Sequence, residues 1–157
     1  MTTYDDFAHE APELAAAVRA RFEAGPTAKH HVLATLRADG SPRVSGTEVG
    51  FRAGELFLGS MPGARKALDL RRDARCALHA HTGDGTMAGG DAKFGGRAVE
   101  VTDEATLAAF RGEQQPPGPY HLFLLDLREA VLTTVAGNQL VVQLWRPGQP
   151  VRTTRRS

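Results

Sequence analysis

The segment 58–66 contains the residues that are best suited to bind a ligand. Arg65 and Lys66 follow a Pro-Gly pair and fall in the first turn of a predicted helix. That end of a helix is already partly positive, because its first backbone N–H groups have no partner within the helix. Two cations at this end are therefore unfavourable, and an anion would offset their charge by accepting hydrogen bonds from the backbone and pairing with both side chains. The segment predicts a phosphate site with Ser60 as a further donor; the alternative is that both cations are solvated surface residues.

His79 and His81 offer a second kind of chemistry. They are two residues apart in a predicted strand, so their side chains should share a face. Imidazole titrates near neutral pH, and we therefore expect a pocket lining or, for His81, a proton donor to a substrate. Metal or haem ligation is an alternative, although no third ligand lies at a recognisable spacing, and we predict no metal site. The plainest alternative is that both are ordinary polar strand residues.

The composition narrows the classes of partner. The 157 residues suit one domain, placed at 1–157. Nineteen basic against 18 acidic residues leave a net charge of +1, which gives no reason to expect a nucleic acid or membrane partner. No apolar segment approaches the roughly 20 residues that span a bilayer. The single cysteine, Cys76, reads as a small core residue rather than a reactive thiol, and it favours a reducing, cytoplasmic location.

Apolar periodicity and turn residues predict mainly strands. Helices are predicted at 12–24, 64–72 and 103–110, and strands at 31–36, 44–51, 56–60, 76–81, 92–101, 120–126, 131–135 and 140–145. Asp39-Gly40 is a hairpin signal, and Gly95-Gly96 predicts a bulge. Beyond residue 147 the chain is predicted to be a basic, weakly ordered tail. Short strands with few helices indicate an antiparallel barrel or sandwich.

Several of these segments together resemble the pyridoxamine 5′-phosphate oxidase-like family, the flavin/deazaflavin oxidoreductases. The matching features are Ala34-Thr35-Leu36, Asp39-Gly40-Ser41-Pro42, Gly59-Ser60 with Arg65-Lys66, Leu70-Arg71-Arg72-Asp73-Ala74-Arg75, and Gly96-Arg97-Ala98. The resemblance implies a mainly β fold, an antiparallel six-stranded split β-barrel of the FMN-binding type with flanking helices. It also implies a homodimer that binds FMN, or alternatively coenzyme F420, in a groove between subunits.

The resemblance further implies roles for particular residues. The implied cofactor-binding residues are Ser45, Thr47, Gly59, Ser60, Met61, Arg65 and Lys66. Of these, Ser60, Arg65 and Lys66 match the residues that hold the cofactor phosphate. Small residues on the strand 44–51 would let its backbone approach the flavin ring. Trp145 is expected in the core; the alternative is that it closes the site of the partner subunit.

Two departures from the family bear on the reaction. Pyridoxamine phosphate oxidases carry an Arg and a Lys five residues apart on the second strand, and these positions fall on Val44 and Val49 here. Arg43 is one residue away and so points to the other face. The arginine motif that binds substrate near the C-terminus is not recognisable at 144–147.

We therefore expect an FMN-dependent oxidoreductase that transfers hydride to or from a small organic substrate other than pyridoxamine 5′-phosphate. One alternative is a coenzyme F420-dependent reductase of the same fold. The other, from a different class, is a non-catalytic flavin- or haem-binding module.

Overall fold

The computed structural model describes residues 1–24, 30–81, 85–111 and 119–157. The helices of this part of the chain are α1 (Tyr4–Glu10), α2 (Pro12–Phe22), α3 (Arg65–Arg72) and α4 (Glu104–Phe110). The strands are β1 (His31–Leu36), β2 (Pro42–Thr47), β3 (Val49–Arg52), β4 (Glu55–Ser60), β5 (Arg75–His79), β6 (Asp91–Val101), β7 (His121–Ala136), β8 (Gln139–Trp145) and β9 (Arg152–Arg156). In these described residues, no helix has the length and apolarity that crossing a membrane requires.

All strands of the described chain pair antiparallel in one sheet, in the order β2-β1-β5-β6-β7-β4-β3, with β8 on β7 and β9 on β8. The strands β2 and β3 lie at the two ends of this order, and only Glu48 separates them in the chain. Thr47 pairs with His31 on β1, whereas Val49 pairs with Leu58 on β4. The mainly β, split-barrel class is confirmed. The strand count is nine rather than the six that the family resemblance implies. The predicted strand 44–51 divides into β2 and β3, the predicted strands 120–126 and 131–135 are one continuous strand, β7, and β9 was not predicted.

The long strand β7 joins the two parts of the sheet. Its first residues pair with β4 and its last residues pair with β8, while β6 runs beside most of its length. The register between β6 and β7 shifts between Gly95 and Gly96, which confirms the predicted bulge. A Cβ on Gly96 would lie 2.3 Å from the carbonyl oxygen of Asp126, so only glycine fits this close approach.

The N-terminal helices cover one side of the core. Thr3 begins α1 with a capping box, in which its hydroxyl accepts from the backbone N–H of Asp6 and its own N–H donates to the Asp6 carboxylate. Phe7 is fully buried, with its ring centroid 4.5 Å from that of Trp145. Burying one such side chain contributes roughly 1.5–3 kcal/mol. The sequence analysis missed α1, which the spacing of Thr3 and Asp6 signals.

Trp145 lies in the core, as expected. Its side chain is completely buried, and Nε1 donates a hydrogen bond to Glu10 Oε2 at 2.9 Å. Cys76 also packs against the core, and burial raises the pKa of its thiol to about 12. Cys76 is therefore a structural residue with little thiolate near neutral pH.

The prediction of a weakly ordered tail beyond residue 147 is wrong. Residues 152–156 form β9, which pairs with β8 from Leu144↔Arg152 to Leu140↔Arg156. The physical reason is that β8 offers a row of backbone groups that any extended segment can pair with. The three arginines of this strand are exposed and keep this sheet edge basic.

Candidate functional site

The first turn of α3 has the charge pattern that the sequence predicted. Ala64 stands at the N-cap and provides no side-chain hydrogen bond, and the first turn contains no acidic residue. Gly63 has a φ of +74°, which turns the chain from β4 into the helix at a conformation that suits glycine. Arg65 and Lys66 therefore occupy a helix start where no carboxylate of the same turn offsets their charge.

Lys66 reaches across to β2. Its Nζ donates a hydrogen bond to the carbonyl oxygen of Gly46 at 2.7 Å. Burial lowers the pKa of Lys66, and the charge of Glu48 opposes this effect. The ammonium group thus lies in a half-buried position between the helix start and the last residues of β2.

Arg65 lies on a different side of the helix. Consecutive helical residues diverge by about 100°, and Arg65 shares its face with Leu68, Asp69 and Arg72. It is exposed and has no hydrogen bond or ion pair within the described residues. The two cations of the predicted phosphate site therefore flank the helix start on different sides and share no partner.

Asp69 anchors this helix to the sheet. It is only 3% exposed, and its carboxylate accepts from Arg43 Nε at 2.6 Å, Thr35 Oγ1 at 2.9 Å and Arg72 Nη2 at 3.1 Å. Burial raises its pKa, but hydrogen bonds from Arg43, Arg72 and Thr35 outweigh this effect and hold the pKa of Asp69 below its ordinary value. Arg72 also donates to the carbonyl of Leu36.

This network was not predicted from the sequence. Arg43 was placed only by its position, one residue from a cation of the family's clamp, and in the structure its guanidinium pairs with Asp69. The available signal was a single acid flanked by basic residues in the amphipathic segment 64–72.

The predicted residues of β2 turn their side chains inward. Ser45 pairs in register with the buried Leu33, and Thr47 with the buried His31, so each points to the inner face of the sheet. Thr47 Oγ1 makes only a long bond of 3.4 Å, to the carbonyl of Glu48. Towards a ligand on the outer face, these residues can offer only backbone groups.

Gly46 between them belongs to the outer face. A Cβ built on it would meet no atom within 4 Å, so the space above this part of β2 is open. Its carbonyl is the group that Lys66 binds.

The predicted residues at the end of β4 and in the following loop differ in how far their side chains are exposed. Ser60 is buried, and its hydroxyl donates only a long bond of 3.5 Å, to the carbonyl of Met61. Gly59 pairs with Leu122 of β7. Met61 is 78% exposed. The weakly bonded hydroxyl of Ser60 lies just before the loop that leads into α3.

His121 is a neighbour of Ser60 that the sequence analysis did not select. The two are register partners on β4 and β7 and therefore share a face. His121 Nδ1 lies 2.7 Å from Glu100 Oε1, and Arg71 Nε binds the other oxygen of Glu100 at 2.9 Å. The carboxylate thus orients the ring beside Ser60. Only the cross-strand register, which the sequence did not predict, could have identified this histidine.

His79 and His81, which the sequence places in one strand, do not both lie in a strand. The strand β5 ends at His79, and the predicted strand 76–81 is therefore too long by two residues. His81 Nε2 lies 3.1 Å from the carbonyl of Ala24 just after α2, and its ring stacks on that of His31 at 6.0 Å. Among the residues that the structure describes, no group of three or more His, Cys, Asp or Glu side chains could hold a metal ion.

A shallow depression of about 180 Å³ lies on the outer face of β1, β5, β6 and β7. Its lining is partly apolar, with Val32, Ala34, Ala77 and Val131, and partly polar, with His79, Lys93 and Glu129. Val32 is 41% exposed, and Val44, which pairs with Ala34, is 71% exposed. Exposed aliphatic side chains grouped in this way are typical of an interaction site.

Comparison with known families identifies the fold class. Residues 14–134 match the family model described as Pyridoxamine 5′-phosphate oxidase. This match covers more than half of the chain, and the protein therefore belongs to that family. A search of curated proteins found no match.

Solved structures of the same fold come from several bacteria. A pyridoxamine 5′-phosphate oxidase-related, FMN binding protein from Nostoc punctiforme is 14% identical with a TM-score of 0.67, over 94% of this chain and 96% of that one. PhzG from Burkholderia lata, solved with tetrahydrophenazine-1-carboxylic acid, is 16% identical with a TM-score of 0.61, over 98% and 95%. A heme binding protein from Mycobacterium smegmatis is 17% identical with a TM-score of 0.54, over 88% and 57%. At these identities the similarity concerns the fold.

Proposed function

We propose that this chain binds the phosphate of a flavin cofactor, FMN, at the first turn of α3 and works as an oxidoreductase on a small organic substrate. The observation that carries the proposal is the pair of cations, Arg65 and Lys66, at a helix start that has no capping side chain and no acid. Cations at this end of a helix are unfavourable without an anion. A phosphate can accept backbone N–H bonds and a further bond from Ser60.

The open outer face of β2 supports a place for the flavin ring. No atom would lie within 4 Å of a Cβ on Gly46, so a flat ring can approach the backbone there. Ser45 and Thr47 would contribute backbone groups, because their side chains turn inward. Met61 is exposed on the loop before α3 and is able to cover the ring edge.

We also propose a homodimer with the site at its interface. The support is the group of exposed aliphatic side chains around the depression on the outer face, Val32 and Val44 among them, which the single chain leaves in water. A second copy placed on this face would cover the depression and bring another surface against the open strand β2.

The bound flavin would supply the hydride chemistry of the reaction. The residues of this chain would bind the phosphate, orient the ring along β2 and exclude water where the subunits meet. For His81 we retain the role of proton donor as a proposal, because an imidazole ring can act as a general acid towards a bound substrate. Val44 and Val49 replace two cations of the family's phosphate clamp, which is the ground for keeping coenzyme F420 as the alternative cofactor. Together with the missing arginine motif at 144–147, this departure favours a substrate other than pyridoxamine 5′-phosphate.

Titration of apo-protein with FMN, and in parallel with coenzyme F420, tests the cofactor site. Lys66→Ala should weaken FMN binding by roughly 1.5–3 kcal/mol, the scale of a hydrogen bond to a charged group, which is roughly 10- to 150-fold in Kd. Arg155→Ala on β9 removes a cation far along the sheet and should leave Kd unchanged. Sedimentation velocity on the FMN-saturated sample gives the mass of the proposed dimer.

Equal affinities of the wild type and Lys66→Ala would reject the phosphate assignment. Tighter binding of coenzyme F420 than of FMN would move the protein to the deazaflavin alternative. If the flavin binds and is reduced but no member of a broad acceptor panel reoxidises it, the protein is a binding module.

The haem-binding alternative keeps one specific support, the fold that this chain shares with the heme binding protein from Mycobacterium smegmatis. Titration with hemin, followed in the visible spectrum, separates it from the flavin proposal. Saturable hemin binding in a protein that does not bind FMN would select this alternative.

A further inference from the structure

A basic cleft lies beside the proposed phosphate site, between α3 and the turn that joins β1 to β2. Its volume is about 380 Å³. Four arginines line it: Arg37 on the turn, Arg43 on β2, and Arg65 and Arg72 on α3. Arg65 and Arg72 are seven residues apart, which is two helical turns, and therefore lie on one face of the helix.

The acidic residues of the cleft do not neutralise it. Asp69 is buried at its base and bridges Arg43 and Arg72. Asp39 is occupied by its own turn, where its Oδ1 accepts from the backbone N–H of Ser41 at 2.9 Å and from the Ser41 hydroxyl at 2.6 Å. Four guanidinium groups against these two carboxylates leave an excess of positive charge.

The arginines form a fixed base and an open rim. At the base, Arg43 and Arg72 are held in place by the carboxylate of Asp69. Each guanidinium carries five N–H donors, and these contacts use only some of them. At the rim, Arg65 has no partner in the described part of the chain, and Arg37 makes one long bond of 3.5 Å to Ser41 Oγ.

We infer that this cleft is a second oxyanion site, which binds a phosphate or carboxylate group in addition to the phosphate proposed at the helix start. Planar guanidinium groups bind such oxyanions through paired hydrogen bonds, and Asp69 orients two of the groups before a ligand arrives. FMN carries a single phosphate, which is proposed at the helix start, so the oxyanion of the cleft belongs to a separate anionic substrate. The inference extends the proposed function, because Arg65 lies between the two sites.

Calorimetric titration of apo-protein with inorganic pyrophosphate and with citrate, in a buffer of low ionic strength, tests the cleft. Wild-type protein should bind at least one of the two anions saturably. Arg37→Gln should weaken that binding at least fivefold and leave the Kd for FMN unchanged, because Arg37 belongs to the cleft alone. Arg155→Gln on β9 is the matched control and should change the binding less than twofold. Thermal melts of both variants check that they fold.

Absence of saturable anion binding would overturn the inference, and so would an equal loss in Arg37→Gln and Arg155→Gln. The apo-protein measurement is independent of flavin, so a failure of FMN to bind rejects only the proposed cofactor. Repeating the titration on FMN-saturated protein tests whether the cleft is separate from the cofactor site. Anion binding that persists supports a second site, whereas binding that FMN abolishes shows that the cleft takes the cofactor phosphate itself and overturns the inference.

Discussion

Charged side chains are paired in the middle of α3 but have no counter-charge in its first turn. In the middle, Asp69 is buried and accepts hydrogen bonds from Arg43, Arg72 and Thr35. In the first turn, Arg65 has no partner within the described residues, and Lys66 binds a backbone carbonyl rather than a carboxylate. The buried carboxylate in the middle of the helix is fully hydrogen-bonded, whereas no acidic residue of the first turn offsets the charge of its two cations.

This difference separates the acid that holds α3 on the sheet from the two cations at the start of the helix. Asp69 ties α3 to β1 and β2, and so it fixes the position of the helix start. The cations of the first turn are therefore placed without making ion pairs of their own. A site built in this way is organised before the ligand binds.

Loss of the Asp69 carboxylate should have the largest effect on stability. Asp69→Asn keeps the shape but leaves Arg43 and Arg72 without their counter-charge. We expect a loss of about 2–3 kcal/mol in the free energy of unfolding, at the low end for a broken buried ion pair because Arg72 is 40% exposed. Urea denaturation measures it. Glu129→Gln, which removes an exposed pair with Arg146, is the control and should cost less than about 0.5 kcal/mol.

The same carboxylate predicts an acid dependence. Because the hydrogen bonds to Asp69 lower its pKa below the ordinary value of 3.8 in spite of burial, its contribution is present above that pH and is lost as the pH falls through the lowered pKa. Wild-type stability should fall below about pH 4 more steeply than that of Asp69→Asn. Parallel acid curves for the two proteins would contradict this role of Asp69.

Local signals in the sequence were enough to predict the strands and the helix start. Alternation of apolar residues located most strand residues, although it merged β2 with β3 and divided β7 in two. Gly95-Gly96 located the bulge, because that signal depends on neighbouring residues alone. The strand β9 escaped prediction because its Arg-rich sequence has no apolar alternation, and its order comes from backbone pairing with β8.

The site was predictable only in part for the same reason. Arg65 and Lys66 are adjacent in sequence, so their place in the first turn of α3 followed from local pattern. The two side chains point to different sides of the helix, and Arg43 pairs with Asp69, which is 26 residues away in sequence. Both features depend on how α3 lies against β2. The neighbourhood of Ser60 and His121 likewise depends on strand register across 60 residues of chain.

At alkaline pH the Kd for FMN should rise several-fold, which is less than the rise expected for Lys66→Ala. Burial lowers the pKa of Lys66 from its ordinary value of 10.5, so the ammonium group is lost at a lower pH than in an exposed lysine. Affinity for FMN should therefore fall on the alkaline side of neutrality, before the pH reaches the ordinary pKa of a lysine. Fluorescence titration across this range measures it. Lys66→Arg, whose guanidinium keeps its charge, should bind FMN and show no such fall. The same decline in Lys66→Arg would assign the titration to another group.

Removal of the unpaired cation should have the smallest effect on stability, and the effect should be favourable. Arg65→Gln takes a positive charge from the positive end of α3 and breaks no hydrogen bond or ion pair of the described structure. Relief of the unfavourable interaction with the helix dipole predicts a gain of about 0.5 kcal/mol in the free energy of unfolding at low ionic strength. The gain should shrink in high salt, which screens the interaction. The variant should at the same time bind pyrophosphate more weakly than the wild type. If Arg65→Gln instead lowers stability, Arg65 supports the fold as Asp69 does, and the contrast between the two regions of α3 fails.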